Sequence, residues 1–237
     1  MREMIDISTS SRILVVAAHP DDEILGCGGC VCKWSGMGAE VRALVLAEGL
    51  TSRTADPESV DDNAKESLRE NARESAEIVG YESICFESFP DNRMDSVDLL
   101  DVVLVIGGYI DRLRPDIVLT HHHGDLNIDH RVAFQAVITA CRPLAVNLVK
   151  TILSFETPSA TEWNFPYYAN TFSPNVFIDI SEHIDKKLEA LSCYVTESRE
   201  APHPRSLESL RAIASRWGSV VERPYVEALE LIRTVSI

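Results

Sequence analysis

Short, unbroken apolar runs alternate with helical patterns along this chain, and that alternation restricts its fold more than any other feature. Arg12–Ala18 reads RILVVAA, and Val41–Ala47 reads VRALVLA. Runs this short and this rich in branched residues are typical of strands buried on both faces of a parallel sheet. The same reasoning predicts further strands at Ile84–Glu87, Asp116–Thr120, Thr151–Phe155 and Val176–Ile180.

Helical patterns fill the intervals between these runs. In one of them Leu68, Ala72, Ala76 and Val79 recur at helical spacing among charged residues. The predicted helices are Ile24–Met37, Ser59–Val79, Val97–Leu113, His130–Cys141, Ile184–Tyr194, Ser206–Arg216 and Pro224–Arg233. Strands that alternate with helices predict an α/β fold with a mostly parallel, doubly wound sheet and helices on both faces. With 237 residues the chain fits one domain over 1–237.

Charge and hydropathy exclude several classes of partner. The formal net charge of −15 repels a phosphate backbone, so nucleic acid is not an expected partner. No apolar stretch reaches the roughly 18 residues that a transmembrane helix needs, and Met1–Arg12 lacks the pattern of a secretory signal. We therefore expect a cytoplasmic protein that acts on a small molecule, and the sequence leaves homo-oligomerisation open.

Two polar segments follow strands at points where packing does not require polar residues. His19–Glu23 directly follows the first strand, and His121–His130 follows the strand that ends at Thr120. Because ligands bind at the carboxyl ends of parallel strands, the fold can bring both segments into one cleft. Imidazole and carboxylate groups that leave room for a water are typical ligands of catalytic zinc. The competing interpretations are an acidic helix cap for the first segment and a solvated loop for the second.

The two segments resemble the motifs of the LmbE/PIG-L family of N-deacetylases. The first reads AHPDDE and the second reads HHHGDLNIDHR. Weaker similarities are Glu48-Gly49 after the second strand, Arg69–Ala72 on the long helix, and Phe89–Asp91. His203–Ser206, with the sequence HPRS, resembles one sub-group of the family. The resemblance covers most of the chain and implies a Rossmann-like fold without a bound dinucleotide.

The resemblance also implies roles for individual residues. In the family one zinc ion is held by residues that correspond to His19, Asp22 and His130, and the general base corresponds to Asp21. We therefore predict one Zn²⁺ per chain. Zinc lowers the pKa of bound water from about 16 toward about 7, so that Asp21 can take its proton while the hydroxide attacks an acetamide carbonyl.

Asp129 and His121 are candidate supporting residues beside these ligands. A carboxylate next to a metal-bound histidine can fix the tautomer of that histidine, and this is the role predicted for Asp129 among the catalytic residues. The alternative is that Asp129 only caps the helix that follows it. His121 lies nearest the strand end, where we predict a supporting or substrate-binding role.

The chain departs from part of the family at the proton donor. Several members carry a histidine three residues before the closing ligand, where this chain has Asn127. An amide can donate a hydrogen bond to an oxyanion but cannot supply a proton at neutral pH. The leaving amine must then receive its proton from Asp21 or from His203, unless His203 is only a surface-loop residue.

Several residues are predicted to contact the substrate. The resemblance points to Glu48 and Arg69, although an arginine on an amphipathic helix is more often solvated. Arg205 is a candidate partner for an anionic carrier group such as a nucleotide diphosphate. Trp163, in a polar loop, is either a ring that stacks on a sugar or a hydrophobic anchor. Asn127 and His121 complete the predicted substrate-binding residues.

The predicted function is that of a zinc-dependent hydrolase that removes the N-acetyl group from an amino sugar or a sugar conjugate, including nucleotide- and lipid-linked ones. The alternatives are another mononuclear metal-dependent hydrolase and a non-catalytic sugar- or nucleotide-binding module of the same fold. A binding module has no use for a base beside the metal, so the presence of Asp21 favours an enzyme.

Overall fold

The computed structural model describes residues 7–47, 49–50, 61–143, 148–165 and 171–236. The strands in these ranges are β1 Arg12–Ala17, β2 Glu40–Ala47, β3 Ser83–Phe89, β4 Ile117–His121, β5 Thr151–Phe155, β6 Val176–Asp179 and β7 Val226–Thr234. The helices are α1 Asp22–Gly36, α2 Asp62–Val79, α3 Leu99–Leu113, α4 Ile128–Ala140, α5 Ile184–Ser192 and α6 Leu207–Val220. A short 3₁₀ helix spans Met94–Ser96. The predicted start of the second helix, Ser59, lies outside the described residues.

All of these strands form one sheet in the order β3-β2-β1-β4-β5-β7-β6. The neighbours from β3 to β5 run parallel, whereas β7 pairs antiparallel with both β5 and β6. The order 3-2-1-4-5 is that of the Rossmann-like sheets, in which the chain reverses its direction of growth between β1 and β4. The predicted mostly parallel, Rossmann-like α/β fold is confirmed.

Successive side chains of β1 enter two different cores, one on each face of the sheet. Val15 packs in a core with residues of α1, α2, α5 and α6, and Val16 packs in a second core with residues of α3 and α4. This alternation is the natural consequence of the two-residue repeat of a strand. Because both faces are covered, β1 and β4 carry only buried apolar residues at their centres, as the unbroken runs in the sequence predicted.

The topology brings the two polar segments to one place. His19 and Asp21 follow β1, and the segment that contains His130 follows β4, the parallel neighbour of β1. The carboxyl ends of both strands open at the same edge of the sheet, at the point where the strand order reverses. None of the helices in the described part of the chain combines the length and apolar character that a bilayer crossing requires.

The helix predicted over Pro224–Arg233 is wrong, because this segment forms β7. Its glutamates, alanine and leucines are good helix formers, so local propensity favours a helix. The segment forms a strand rather than a helix because it lies between β5 and β6 in the sheet and makes backbone hydrogen bonds with both. Its two buried glutamates, Glu227 and Glu230, also find specific partners in other elements, which a local pattern does not reveal.

Glu227 closes a break in α1. The backbone of α1 leaves the helical conformation at Cys27, where φ is −149°. The Glu227 carboxylate then accepts hydrogen bonds from the amides of Gly29 (2.9 Å) and Cys30 (2.6 Å), as a capping side chain does at a helix start. The Lys187 ammonium donates to the same carboxylate at 2.5 Å, so the two buried charges neutralise each other.

We predict that Glu227→Ala lowers the free energy of unfolding by about 3–5 kcal/mol, because it leaves the Lys187 ammonium buried without its partner. Urea denaturation of the variant and the wild type measures this difference. Glu189→Ala, which removes an exposed glutamate from α5, is the control and should change stability by no more than about 0.5 kcal/mol. Equal stability of the two variants would contradict the capping role.

Candidate active site

A cluster of two histidines and one aspartate lies at the carboxyl ends of β1 and β4. The Asp22 Oδ2 atom is 3.3 Å from His19 Nδ1 and 3.3 Å from His130 Nε2. One potential ligand atom from each of the three residues lies within 4.8 Å of the others, and all three residues are buried or nearly so. The structure thus brings together the three residues that the sequence comparison with the LmbE/PIG-L motifs singled out.

The chemistry of this cluster fits a divalent metal ion. Within the described residues, the Asp22 Oδ1 atom is buried and has no hydrogen-bond partner. A buried carboxylate oxygen without a partner is costly, and a cation bound between these side chains would satisfy it. Two imidazole nitrogens and one carboxylate, with a further position left open, form a ligand set of catalytic zinc sites.

A carboxylate lies next to the outer side of each of the two imidazoles, those of His19 and His130. The Asp129 carboxylate lies 3.0 Å from His19 Nε2, and the Asp125 carboxylate lies 3.1 Å from His130 Nδ1. Each contact involves the ring nitrogen that faces away from Asp22. The His19–Asp129 contact is a hydrogen bond that can fix the orientation and tautomer of His19, whereas Asp125 lies at ion-pair distance from His130 Nδ1 without hydrogen-bond geometry. Asp129 was predicted to support a metal-bound histidine, and its carboxylate lies against His19.

The loop after β3 depends on the same Asp129 carboxylate. Its two oxygens accept hydrogen bonds from the amides of Asn92 (2.6 Å) and Met94 (2.9 Å). The alternative interpretation of Asp129 as the helix cap is wrong, because the Asn127 side chain caps α4 by accepting from the Asp129 amide at 2.8 Å. The Asn127 amide group donates at 2.8 Å to Asn92.

The electrostatics of the cluster couple metal binding to proton release. Burial by itself lowers the pKa of His130, but the carboxylates of Asp22 and Asp125 outweigh burial and raise that pKa to about 9. Burial raises the pKa of Asp22, yet the neighbouring His130 and His121 hold it well below its usual range. A metal ligand must be a neutral imidazole, so a cation that binds here displaces a proton from His130.

Asp21 lies next to this cluster and is paired with Arg205. The Arg205 Nη1 atom donates to Asp21 Oδ2 at 2.8 Å, and its Nε atom donates to Ser159 Oγ at 2.7 Å. Burial raises the pKa of the Asp21 carboxyl to about 7, although the Arg205 guanidinium opposes this rise. A carboxyl that titrates near neutral pH is suited to take and return a proton. Arg205, which was expected to hold an anionic substrate group, contacts the carboxylate of Asp21.

His203 and Trp163 form a rim beside Arg205. The His203 Nδ1 atom accepts from the Arg205 amide at 3.1 Å, and the His203 ring packs edge-on against the Trp163 indole at 5.9 Å between centroids. Burial and the guanidinium of Arg205 lower the pKa of His203, so its imidazole is neutral at pH 7. The Trp163 side chain remains 40% exposed at this rim.

His121 lies behind the cluster and is fully buried. Its Nε2 atom accepts from the Ala18 amide at 2.8 Å, so in the neutral ring Nδ1 carries the proton and donates to Thr157 Oγ1 at 3.0 Å. Its ring stacks on that of His130 with 3.9 Å between centroids. Burial lowers its pKa to about 3. Both ring nitrogens are used by the protein, which favours the supporting role among the two predicted for His121.

The predicted substrate-binding roles of Arg69 and Glu48 stay predictions, for different reasons. The Arg69 guanidinium lies 3.8 Å from Glu66 on the same helix and 5.9 Å from the centroid of the Phe86 ring. These contacts keep it on the surface of α2, and its role in substrate binding stays a prediction. Glu48 lies outside the described residues.

Sequence reasoning assigned no role to several residues that surround the cluster. Asp91 Oδ1 lies 3.2 Å from His19 Nε2, and the strand-end rule could have found it, because Asp91 follows β3. Asp125 lies within the second polar segment but was not singled out. Glu23 is buried and accepts a hydrogen bond from the Tyr194 hydroxyl, 171 residues later, and no sequence signal predicts that contact.

The comparisons with known proteins point to one family. Residues 14–141 match the PIG-L family model, which is described as GlcNAc-PI de-N-acetylase. Diacetylchitobiose deacetylase from Thermococcus kodakarensis is 30% identical over 230 residues, which are 93% of this chain and 83% of that protein. 4-Oxalmesaconate hydratase from Pseudomonas putida is 27% identical over 197 residues, which are 76% of this chain and 71% of that protein.

The fold is also found in solved structures. That of N,N'-diacetylchitobiose deacetylase from Pyrococcus horikoshii superposes with a TM-score of 0.75 over 96% of this chain and 87% of that one, at 22% identity. At this identity the similarity shows a shared arrangement of strands and helices.

The backbone at Asp21 leads to a prediction about stability. Its φ of 103° lies in the left-handed region that favours glycine. We expect Asp21→Gly to be more stable than Asp21→Ala by about 1–2 kcal/mol, because both variants lose the Arg205 pair but only alanine keeps the strain. Thermal or urea unfolding of the two variants measures the difference.

The same pair of substitutions at Glu70, on the exposed face of α2, is the control. Glycine there should be less stable than alanine by about 1 kcal/mol, the opposite sign, because the residue lies inside a helix. If alanine at residue 21 were as stable as glycine, Asp21 would not be strained.

Proposed function

Because the chain belongs to the PIG-L family of de-N-acetylases, we propose that this N-deacetylase is zinc-dependent and removes the acetyl group from an amino sugar or a sugar conjugate. The observation that carries the proposal is the convergence of His19, Asp22 and His130 directly beside the buried Asp21. A site of this kind supplies both a place for a Lewis acid and a proton acceptor, which amide hydrolysis requires.

The three clustered side chains would hold the zinc ion, with Asp129 fixing the His19 imidazole and Asp125 at ion-pair distance from that of His130. When bound, zinc would supply a Lewis acid that makes water a nucleophile at neutral pH and polarises the acetyl carbonyl. We propose one zinc per chain, and one domain over residues 1–237.

Asp21 is the proposed proton carrier. Its carboxylate accepts a proton from the attacking water and returns it to the nitrogen of the leaving amine, because a free amide anion is too basic to leave. A carboxylate held beside the reacting atoms can act first as the base and then as the acid. We assign the proton transfer to Asp21, which lies next to the cluster, and a hydrogen bond to the substrate to His203, which lies at the rim beside Trp163.

The substrate is proposed from the relatives and from the rim of the site. The relative from Thermococcus kodakarensis is named for diacetylchitobiose, an acetylated amino sugar. The half-exposed Trp163 indole beside His203 offers an apolar face of the kind that packs on a sugar ring. Glu48, Arg69 and the Asn127 amide remain proposed substrate contacts, and a cytoplasmic location remains an expectation.

Hydration of an unsaturated carboxylate is a second candidate. The similarity to 4-oxalmesaconate hydratase favours it, since both reactions add water to an unsaturated carbon. The family model that matches residues 14–141 is described as a de-N-acetylase, however, and of the two relatives the deacetylase is the more similar, at 30% identity against 27%. We therefore rank deacetylation first.

Acetate release tests the proposal. We expect the zinc-loaded protein to release acetate from N-acetylglucosamine, diacetylchitobiose or a UDP-, GDP- or CMP-linked acetamido sugar, and to stop when a chelator removes the metal. Asp21→Asn should lower turnover by about 10²–10⁴-fold while it keeps the zinc. Activity of Asp21→Asn above one tenth of wild type would refute the proton-carrier role. Loss of a diene absorbance without acetate release would favour the hydratase.

His130→Ala is expected to lose the metal. Removal of one of the three ligands leaves too few donors for tight binding, so the zinc content after dialysis should fall well below one per chain. Elemental analysis measures this content. His183→Ala, which removes a histidine beside Cys32 and outside the cluster, is the matched control and should keep a full complement of zinc. Full zinc occupancy in His130→Ala would exclude His130 as a ligand.

A further inference from the structure

We propose that Glu23 is a positioning residue whose buried carboxylate holds the strained backbone of Asp21, and so aims the Asp21 carboxylate at the reacting water. This inference rests on the proposed function, because it assumes that Asp21 carries the proton. It assigns a role to the last acid of the AHPDDE segment, which neither metal binding nor proton transfer uses.

The strain arises in a tight turn between β1 and α1. The Asp22 amide donates to the His19 carbonyl at 3.3 Å, which closes a four-residue turn with Pro20 second and Asp21 third. Asp21, the third residue, has φ 103° and ψ −28°, which is the positive φ that a type II turn requires at this position and a type I turn does not. Glycine is the usual residue there, so an aspartate at this point indicates that its carboxylate is required.

Glu23 satisfies the backbone amide of this strained residue. The Glu23 Oε2 atom accepts from the Asp21 amide at 3.0 Å, and the Asp21 carbonyl accepts from Ile24 (3.0 Å) and Leu25 (2.9 Å) in the first turn of α1. The peptide groups on both sides of the Asp21 α-carbon are therefore held. Rotation back to an ordinary φ would break the contact with Glu23 and turn the carboxylate away.

Glu23 is itself held from two other elements. The Tyr194 hydroxyl, just after α5, donates to Glu23 Oε1, and the Tyr81 hydroxyl, just before β3, donates to the Glu23 carbonyl at 3.2 Å. All three side chains are buried, and Glu23 has no exposed surface. An ordinary helix cap on the surface would not need this enclosure, since water could serve the same amide.

The other end of Asp21 is fixed by Arg205, which holds the carboxylate itself. Glu23 and Arg205 thus act on different parts of one residue, the first on its backbone amide and the second on its side chain. When substrate or water competes for Arg205, the hold of Glu23 on the backbone still remains. This division allows the carboxylate to exchange partners while the residue keeps its position.

Coupling between the two residues tests the proposal. We expect Glu23→Ala to lower kcat by about 100-fold with little change in KM. Displacement of the base slows the chemical step but leaves the contacts that bind the substrate in place. Glu23→Gln should recover most of the rate, since its amide oxygen can still accept from Asp21. In the Asp21→Asn background Glu23→Ala should cause no further loss, because the group that it positions is gone.

Two readouts are independent of turnover. Zinc content, and zinc affinity measured by competition with a chelator, should stay at the wild-type level in Glu23→Gln and Glu23→Ala. Hydrogen exchange of the Asp21 amide should become at least about tenfold faster in Glu23→Ala and remain slow in Glu23→Gln. Glu189→Ala, which removes an exposed glutamate from α5 and should change stability little, is the control, and there the Asp21 amide should remain protected.

If Glu23→Ala does not fold, Glu23→Asp takes its place, because its shorter side chain keeps the charge but falls short of the Asp21 amide. Full activity of that variant would overturn the proposal. So would an equal rate loss from Glu23→Ala with and without Asp21→Asn, or a loss of zinc in step with kcat. Failure of the wild type to release acetate would instead contradict the proposed function. Faster exchange of the Asp21 amide in Glu23→Ala would in that case still support the backbone restraint.

Discussion

The buried carboxylate of Asp22 is the interaction on which the rest of the site depends. One of its oxygens lies within 3.6 Å of ring nitrogens from His19, His121 and His130, and the other has no partner among the described residues. A negative charge in such surroundings is stable only if positive charge comes to it. A cation bound among the three side chains would supply that charge and would also satisfy the Asp22 oxygen that has no partner among the described residues.

The topology of the sheet explains how these charged side chains come together. The cluster forms where the strand order reverses between β1 and β4, so side chains from two neighbouring strands reach one crevice without long loops. The C-terminal half adds the antiparallel β7, whose Glu227 and Glu230 pair with Lys187 and His122 in the interior. Buried charges recur throughout this protein, and each of those described above has a partner of opposite charge or a hydrogen-bond donor. That pattern agrees with the high cost of an unpaired buried charge.

The site divides into a part shared with the family and a part contributed by the remainder of the chain. The match to the family model ends at residue 141 and includes the three clustered residues and Asp21. Trp163 and His203, which form the rim, lie beyond it, as does the neighbouring Arg205. Relatives named as a deacetylase and as a hydratase are similar to this same chain, so the choice of reaction need not reside in the metal-binding residues. The rim is where we expect substrate selection to be decided.

The sequence by itself determined the α/β class, the strands from β1 to β6 and the segments that hold the cluster. These features are local. An unbroken apolar run indicates a strand that is buried on both faces of the sheet, and polar residues directly after such a run indicate the edge of the sheet where ligands bind. Only the tertiary structure decided that Val226–Thr234 is a strand, that Asp129 supports His19, and that Glu23 meets Tyr194. The Arg205–Asp21 pair joins residues 184 apart along the chain. Such contacts depend on how distant elements are placed in space, and neither the periodicity nor the composition of a short segment carries that information.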